Sequence, residues 1–138
     1  MKIAFICTGN TARSQMAEAY GKYFASLLRK HIECYSAGAK PAKEINPYVK
    51  EIMKEEGLDL SLARPKGLEE IPLKDMDLII TLCDSAKESC PYLPSAKVMH
   101  WSLPDPADLQ GSPEEILTQL RKIRDEIKHR VEKLIREL

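Results

Sequence analysis

Short apolar runs alternate along the chain with longer segments in which apolar side chains recur every three or four positions. The apolar runs predict strands, at residues 2–6, 32–36, 77–82 and 96–100. The periodic segments predict three helices, from Ser14 to about Arg29, from Asn46 to Gly57, and from Ser112 to the end of the chain. Strands and helices in this alternating order predict an α/β fold with three layers, in which a four-stranded parallel sheet carries helices on both faces.

The last two predicted helices have recognisable ends. Asn46 is a good N-cap with Pro47 in the first turn, and Gly57 marks the helix end. Ser112 is the N-cap of the last helix, and Glu115 completes a capping box. One face of this helix carries an apolar stripe, formed by Ile116, Leu120, Ile123, Ile127, Val131, Leu134 and Leu138. The stripe favours a helix packed on the sheet, with a heptad coiled coil as the competing interpretation.

Composition restricts the class of protein. A chain of 138 residues is expected to form one domain, residues 1–138. With 21 acidic and 21 basic side chains the net charge is zero, which favours neither nucleic acid nor a membrane surface as a partner. The apolar run that ends before Cys7 is too short for a signal peptide, so we expect a cytoplasmic protein. In that compartment its four cysteines are expected to be catalytic or redox-active rather than structural.

One loop between the first strand and the first helix contains a cysteine and an arginine. It comprises Cys7, Thr8, Gly9, Asn10, Thr11, Ala12, Arg13 and Ser14. Backbone N–H groups in such a loop can bind a tetrahedral oxyanion, and they stabilise a thiolate in the same cup. The planar fork of Arg13 matches two oxygens of that anion. The pattern predicts a nucleophile in an oxyanion site, whereas the alternative is a small buried cysteine before an ordinary turn.

Two polar side chains of this loop have more than one possible role. Ser14 can cap the helix or hydrogen-bond the sulfur of Cys7. Asn10 is expected to hold the loop in a left-handed conformation, which asparagine tolerates better than most residues. The sequence leaves the choice for Ser14 open.

Further cysteines are predicted near the same loop. The carboxyl ends of parallel strands form one edge of a sheet, where ligands bind. Cys7 follows the first strand and Cys83 follows the third, so we expect both at this edge. Cys90 comes seven positions after Cys83. The two could form a reversible disulfide or be unrelated thiols, while their spacing is poor for zinc. Cys34 lies inside the second strand and is expected to pack in the core.

Asp105 is the candidate acid. Pro104 and Pro106 stiffen the backbone on both of its sides. A carboxyl group held over the anion loop could protonate a departing oxygen, whereas the simpler alternative is an acidic turn residue.

Together these motifs resemble a known family. The loop from Cys7 to Ser14, the turn around Asp105 and the order of elements resemble the low-molecular-weight protein tyrosine phosphatases. The segment that carries Cys83 and Cys90 resembles the thioredoxin-coupled arsenate reductases built on that fold. Three further matches to these reductases are Ser14-Gln15-Met16-Ala17-Glu18, Tyr35-Ser36-Ala37-Gly38 and His100-Trp101.

The resemblance implies a relay of three cysteines without a metal or an organic cofactor. Cys7 would attack arsenate held by the loop amides and Arg13, with Asp105 helping oxygen to leave as water. Cys83 would then attack Cys7 and release arsenite, and Cys90 would move the disulfide to Cys83–Cys90 for reduction by thioredoxin. Phosphate would compete with arsenate because the two anions have nearly the same shape.

Two positions depart from the family pattern. Ala12 stands where many relatives carry another cysteine, which the relay does not use. Lys66 stands where some reductases carry an acid that helps to bind potassium, so no requirement for a monovalent cation is expected.

Two other functions compete with arsenate reduction. A phosphatase of the same fold would need Cys7, Arg13 and Asp105 but neither Cys83 nor Cys90, and weak phosphatase activity is expected in either case. A thiol sensor for arsenite or a soft metal would use the cysteines without turnover, but it has no need of an arginine in an oxyanion loop.

Overall fold

A parallel sheet forms the centre of the molecule. The computed structural model describes residues 1–82 and 96–138. Its strands are β1 (Lys2–Cys7), β2 (Glu33–Gly38), β3 (Leu78–Thr81) and β4 (Lys97–His100). They form a four-stranded sheet in the order β2-β1-β3-β4, with every pair parallel. The four predicted strands and the parallel sheet are therefore confirmed.

The strand order determines where a ligand can bind. The chain passes from β1 to β2 on one side and then crosses to β3 on the other side of β1. The direction of winding thus reverses between β1 and β3. In open parallel sheets the crevice at such a switch point, at the carboxyl ends of the strands, is where ligands bind. In this chain that crevice lies beyond Cys7 and Thr81.

Helices cover the sheet on both faces, as predicted. The α-helices are α1 (Arg13–Leu27), α2 (Pro47–Glu55) and α3 (Pro113–Glu137). All three contribute to the apolar core that contains Ile3 and Phe5. The opposite face, with Ala4 and Ile6, is covered by residues around the 3₁₀ helices Leu68–Glu70 and Leu73–Asp75. The second helical layer in the described part of the chain is therefore built of 3₁₀ turns.

The predicted helix ends are confirmed by their hydrogen bonds. The side chain of Asn46 accepts from the Tyr48 N–H at 2.9 Å, with Pro47 at the first helical position of α2. Gly57, just beyond the end of α2, has a φ of 75°. Ser112 Oγ accepts from the Glu115 N–H at 3.2 Å, and Glu115 accepts in return from the Ser112 N–H. Each signal stops or starts a helix by satisfying backbone groups that the helix leaves open.

The apolar stripe of α3 packs inside the domain, so the coiled-coil interpretation is wrong. Its fully buried apolar residues are Leu117, Leu120, Ile123, Ile127, Val131 and Ile135. The predicted stripe was right in the middle of the helix and wrong at its ends. Ile116 is only half-buried, and Leu138, which lies beyond the last helical residue, is 43% exposed. Among residues 1–82 and 96–138, no helix combines the length and apolarity needed to cross a bilayer.

Candidate active site

The sulfur of Cys7 lies buried at the start of the loop that joins β1 to α1. Helix α1 begins at Arg13, and its N-cap residue Ala12 offers no side-chain cap. Ser14 therefore does not cap the helix. Its hydroxyl oxygen lies 2.7 Å from the Cys7 sulfur, and the Asn10 N–H donates to the same sulfur at 3.2 Å. Two groups of the loop thus converge on the candidate nucleophile.

Four carbonyl groups of the loop are held by backbone hydrogen bonds from outside it. A neighbouring segment binds them, through the pairs Ala39 N to Cys7 O (3.1 Å), Lys40 N to Thr8 O (2.8 Å), Ala42 N to Gly9 O (3.0 Å) and Asn46 N to Thr11 O (3.1 Å). We call residues 39–46 the outer strap. In a trans peptide the N–H points opposite to the C=O, so the amides that follow these carbonyls face the inside of the loop. This arrangement makes the loop a candidate site for an oxyanion.

Asn10 organises the inside of the loop. It is fully buried and has a φ of 55°, which is the left-handed conformation expected for it. Its side-chain nitrogen Nδ2 donates to Ser14 Oγ at 2.8 Å and to Ser36 Oγ at 3.0 Å. Its side-chain oxygen accepts from Gln15 Nε2 at 2.9 Å and from the Lys66 N–H at 2.8 Å. Either Ser14 or Cys7 can donate in their 2.7 Å contact, but a Cys7 thiolate has no proton, so Ser14 is then the donor.

A partly buried polar cluster lies next to Asn10. The Ser36 hydroxyl donates to the Glu18 carboxylate, and the Lys66 ammonium lies 3.6 Å from the same carboxylate. Ser36 and Glu18 stood in segments that resembled the family, but the sequence assigned them no role. Ser36 lies on β2 and Glu18 on α1, so only the folded chain brings them to Asn10, and no spacing along the sequence indicated this contact.

Arg13 and Asp105, two of the predicted site residues, lie close together. The Arg13 guanidinium is almost completely buried, and its Nη2 is 3.6 Å from Asp105 Oδ1. Its Nη1 donates to the carbonyl oxygens of Leu82 at 3.3 Å and Leu103 at 3.1 Å. The Asp105 side chain is about half exposed and also accepts from the Ala107 N–H at 2.9 Å. A partly solvated carboxyl group therefore faces the guanidinium at the mouth of the site.

Cys83 and Cys90 lie outside the described residues. Leu82, the last described residue before them, is placed at the site. Its N–H donates to the Ile6 carbonyl at 2.9 Å, and its own carbonyl accepts from Arg13. The chain thus enters residues 83–95 beside the candidate nucleophile's loop.

Cys34 is separate from this site. It is buried in the core, and burial raises the pKa of its thiol to about 12. Its sulfur packs so closely on Gly21 that a β-carbon there would lie 2.7 Å away. This agrees with the packing role that the sequence indicated for Cys34.

Comparisons with known proteins show what the chain is similar to. Residues 2–138 match the low molecular weight phosphotyrosine protein phosphatase family. The arsenate reductase of Halalkalibacterium halodurans is 42% identical over 130 residues, which are 94% of this chain and 91% of that protein.

Solved structures with this fold include both kinds of enzyme. A thioredoxin-dependent arsenate reductase from Corynebacterium glutamicum is 32% identical with a TM-score of 0.75, covering 99% of this chain and 60% of that one. A low molecular weight protein tyrosine phosphatase from T. tengcongensis is 30% identical with a TM-score of 0.85, covering 100% and 99% of the two chains. The fold is therefore shared by reductases and phosphatases and does not by itself distinguish them.

Proposed function

Because the chain belongs to the low molecular weight phosphotyrosine protein phosphatase family, we propose that it is an enzyme that reduces arsenate to arsenite and is regenerated by thioredoxin. The oxyanion is held by the loop amides from Thr8 to Ser14 and by Arg13. Phosphate occupies the same loop as a competitor, since it presents the same tetrahedral oxygens. Thioredoxin as the reductant places the enzyme in the cytoplasm, where thiols are kept reduced.

The first step is nucleophilic attack by Cys7. Its sulfur forms a bond to arsenic while an arsenate oxygen leaves as water, with Asp105 donating the proton. The Ser14 hydroxyl and the Asn10 N–H, both directed at the sulfur, stabilise its negative charge before the attack.

The second step transfers electrons. Cys83 attacks the sulfur of Cys7, so that a Cys7–Cys83 disulfide forms and the S–As bond breaks. The electron pair of that bond stays on arsenic, which falls from As(V) to As(III) and leaves as arsenite. Cys90 then attacks Cys83, which frees the thiol of Cys7 and leaves a Cys83–Cys90 disulfide. Thioredoxin reduces this disulfide by a dithiol–disulfide exchange.

One observation carries the reductase proposal. The carbonyl of Leu82, to which Cys83 is bonded, accepts a hydrogen bond from the oxyanion-binding arginine. Leu82, the last described residue before Cys83, thus lies beside the site that contains Cys7. A phosphatase needs no thiol there, and the H. halodurans relative that covers 94% of this chain is an arsenate reductase.

The second candidate function is hydrolysis of phosphate esters. The T. tengcongensis phosphatase matches the whole of this chain with a TM-score of 0.85, which favours it. Cys7, Arg13 and Asp105 suffice for such a reaction, so weak phosphatase activity is expected even if the enzyme is a reductase.

A coupled assay tests the proposal. The protein is mixed with thioredoxin, thioredoxin reductase and NADPH, and NADPH oxidation is followed with arsenate or with phosphate. We expect oxidation that depends on arsenate. Brisk cleavage of p-nitrophenyl phosphate without arsenate-dependent oxidation would favour the phosphatase, and stoichiometric arsenite binding without turnover would favour a sensor.

Cysteine variants test the relay itself. Cys83→Ser is expected to abolish arsenate turnover and to spare ester hydrolysis, because only the reductase reaction needs the second thiol. Cys34→Ser is the matched control, since this cysteine is buried away from the site, and it should retain both activities. If both activities also persist in Cys83→Ser, the relay is wrong.

A further inference from the structure

Arg13 makes two hydrogen bonds that anion binding does not require. Its Nη1 donates both to the Leu82 carbonyl, at the end of β3, and to the Leu103 carbonyl, two residues before Asp105. One corner of the guanidinium is thus occupied by the backbone of two separate segments. The opposite edge, formed by Nε and Nη2, is the one that can bind two oxygens of an anion, and its Nη2 lies 3.6 Å from Asp105 Oδ1.

We propose that Arg13 also anchors two segments against the oxyanion loop: the end of β3 and residues 101–108, which we call the Asp105 loop. In this role Arg13 positions the acid as well as binding the anion. The proposal rests on the proposed function only in taking Asp105 as the proton donor.

The contacts around the Asp105 loop support this role. Where β4 ends, the Trp101 N–H donates to the Thr81 carbonyl at 2.8 Å. Asp105 then begins its own 3₁₀ turn, Pro106–Asp108. The Leu103 carbonyl lies between these two points, and its bond to Arg13 ties the intervening stretch to the start of α1.

The hydrogen bond from Arg13 to the Leu103 carbonyl is charge-assisted. It joins a charged donor to a carbonyl, and because Arg13 is only 8% exposed, water does not compete well for the guanidinium. Lysine cannot replace this arrangement, because a single ammonium lacks the planar fork that serves two carbonyls on one corner and an anion on the other edge.

Amide hydrogen exchange without any anion tests the anchor directly. In Arg13→Lys we expect exchange to quicken about tenfold in peptides that cover residues 78–82 and 101–108, the effect of losing about one charged hydrogen bond. The matched control is Arg130→Lys, at an exposed i,i+4 pair with Glu126 on α3, which should leave both peptides unchanged. Unchanged exchange in Arg13→Lys would overturn the proposal.

A measurement on the unmodified protein guards against a variant that fails to fold. In the anion-free protein, ¹⁵N NMR at low temperature should show separate, slowly exchanging Nη1 protons for Arg13, since two carbonyls restrain that group. A freely rotating guanidinium would equally overturn the proposal.

Leaving-group dependence tests the link to Asp105. p-Nitrophenolate leaves without much help, whereas phenolate needs a proton from the acid. Asp105→Asn should therefore lower kcat/KM more for phenyl phosphate than for p-nitrophenyl phosphate. If Arg13 positions the acid, Arg13→Lys also lowers kcat/KM more for phenyl phosphate than for p-nitrophenyl phosphate. The double variant Arg13→Lys/Asp105→Asn should then show the same ratio of the two kcat/KM values as Arg13→Lys alone.

The outcomes separate this proposal from the proposed function. In one outcome, Arg13→Lys lowers kcat/KM equally for both esters, while Asp105→Asn lowers it more for phenyl phosphate. This would mean that Arg13 binds only the anion. In another outcome, amide hydrogen exchange is faster in Arg13→Lys, but Asp105→Asn lowers kcat/KM equally for both esters. This would support the anchoring role of Arg13 and show that Asp105 is not the proton donor. Absence of arsenate turnover in the coupled assay would bear on the reductase alone.

Discussion

Gly38 lies against the carbonyl of Thr8 so closely that no side chain fits between them. A β-carbon on Gly38 would stand 2.5 Å from the Thr8 oxygen and 2.9 Å from the Asn10 nitrogen. Both are backbone atoms of the oxyanion loop, so neither can turn aside as a flexible side chain would. Gly38 ends β2, and its position lets the loop close over the neighbouring strand.

Gly38→Ala should therefore damage the site more than the fold. The added methyl group must push the loop by several tenths of an ångström, and overpacking of this kind costs about 1–3 kcal/mol. We expect kcat/KM for p-nitrophenyl phosphate to fall at least tenfold, and the melting temperature to fall by several degrees. Wild-type activity in this variant would mean that the loop tolerates displacement.

Ser14→Ala removes the hydroxyl that lies 2.7 Å from the Cys7 sulfur. A hydrogen bond to a charged group is worth about 1.5–3 kcal/mol, so kcat/KM should fall about 10- to 100-fold. Steady-state hydrolysis of p-nitrophenyl phosphate measures the change. Ser26→Ala, at an exposed position of the same helix, is the matched control and should have no effect. A fully active Ser14→Ala would show that the sulfur does not depend on this contact.

Glu55 makes stability depend on pH in the acid range. Hydrogen bonds from Arg121, and then from Arg124, lower the pKa of Glu55 from 4.5 to about 2. Because the folded-state pKa is depressed, the stabilisation is complete above pH 4.5 and is lost as the pH falls towards 2. Thermal melts should give wild type a slightly higher melting temperature than Glu55→Gln at neutral pH, since exposed ion pairs contribute little, and the difference should close in acid. Glu44→Gln, at an exposed position, is the control, and a pH-independent gap for Glu55→Gln would contradict the assignment.

Cys34 should be inert in the folded protein. Its thiol is only 4% exposed, and burial raises its pKa to about 12, so little reactive thiolate forms at neutral pH. Iodoacetamide at pH 8 followed by peptide mass spectrometry should leave the Cys34 peptide unmodified in the native protein and label it fully in guanidinium chloride. Stoichiometric labelling of the native protein would mean that this strand opens readily.

Local signals in the sequence predicted much of the fold. Asn46, Gly57 and Ser112 each satisfy or redirect backbone groups within a few positions, so the sequence reveals them without the rest of the structure. The ends of the α3 stripe were wrong for the opposite reason. Ile116 and Leu117 are equally compatible with the helical period, and only the packing of α3 against the rest of the domain selects Leu117.

The candidate site shows the same division. Cys7, Asn10 and Arg13 stand in one continuous loop, whose spacing and small residues indicated an anion site. Ser36 and Gly38 act on that loop from β2, across a strand pairing that no local pattern predicts. The choice between the two roles of Ser14 also needed coordinates, since a hydroxyl near a helix start is compatible with both.

The outer strap has a consequence for selectivity. Because residues 39–46 bind the loop carbonyls through contacts internal to the chain, the shape of the cup does not depend on which anion it holds. A receptor of this kind accepts every tetrahedral oxyanion of suitable size on nearly equal terms. Discrimination of arsenate from phosphate must then come after capture, from the readiness of arsenic, and not phosphorus, to accept two electrons from sulfur.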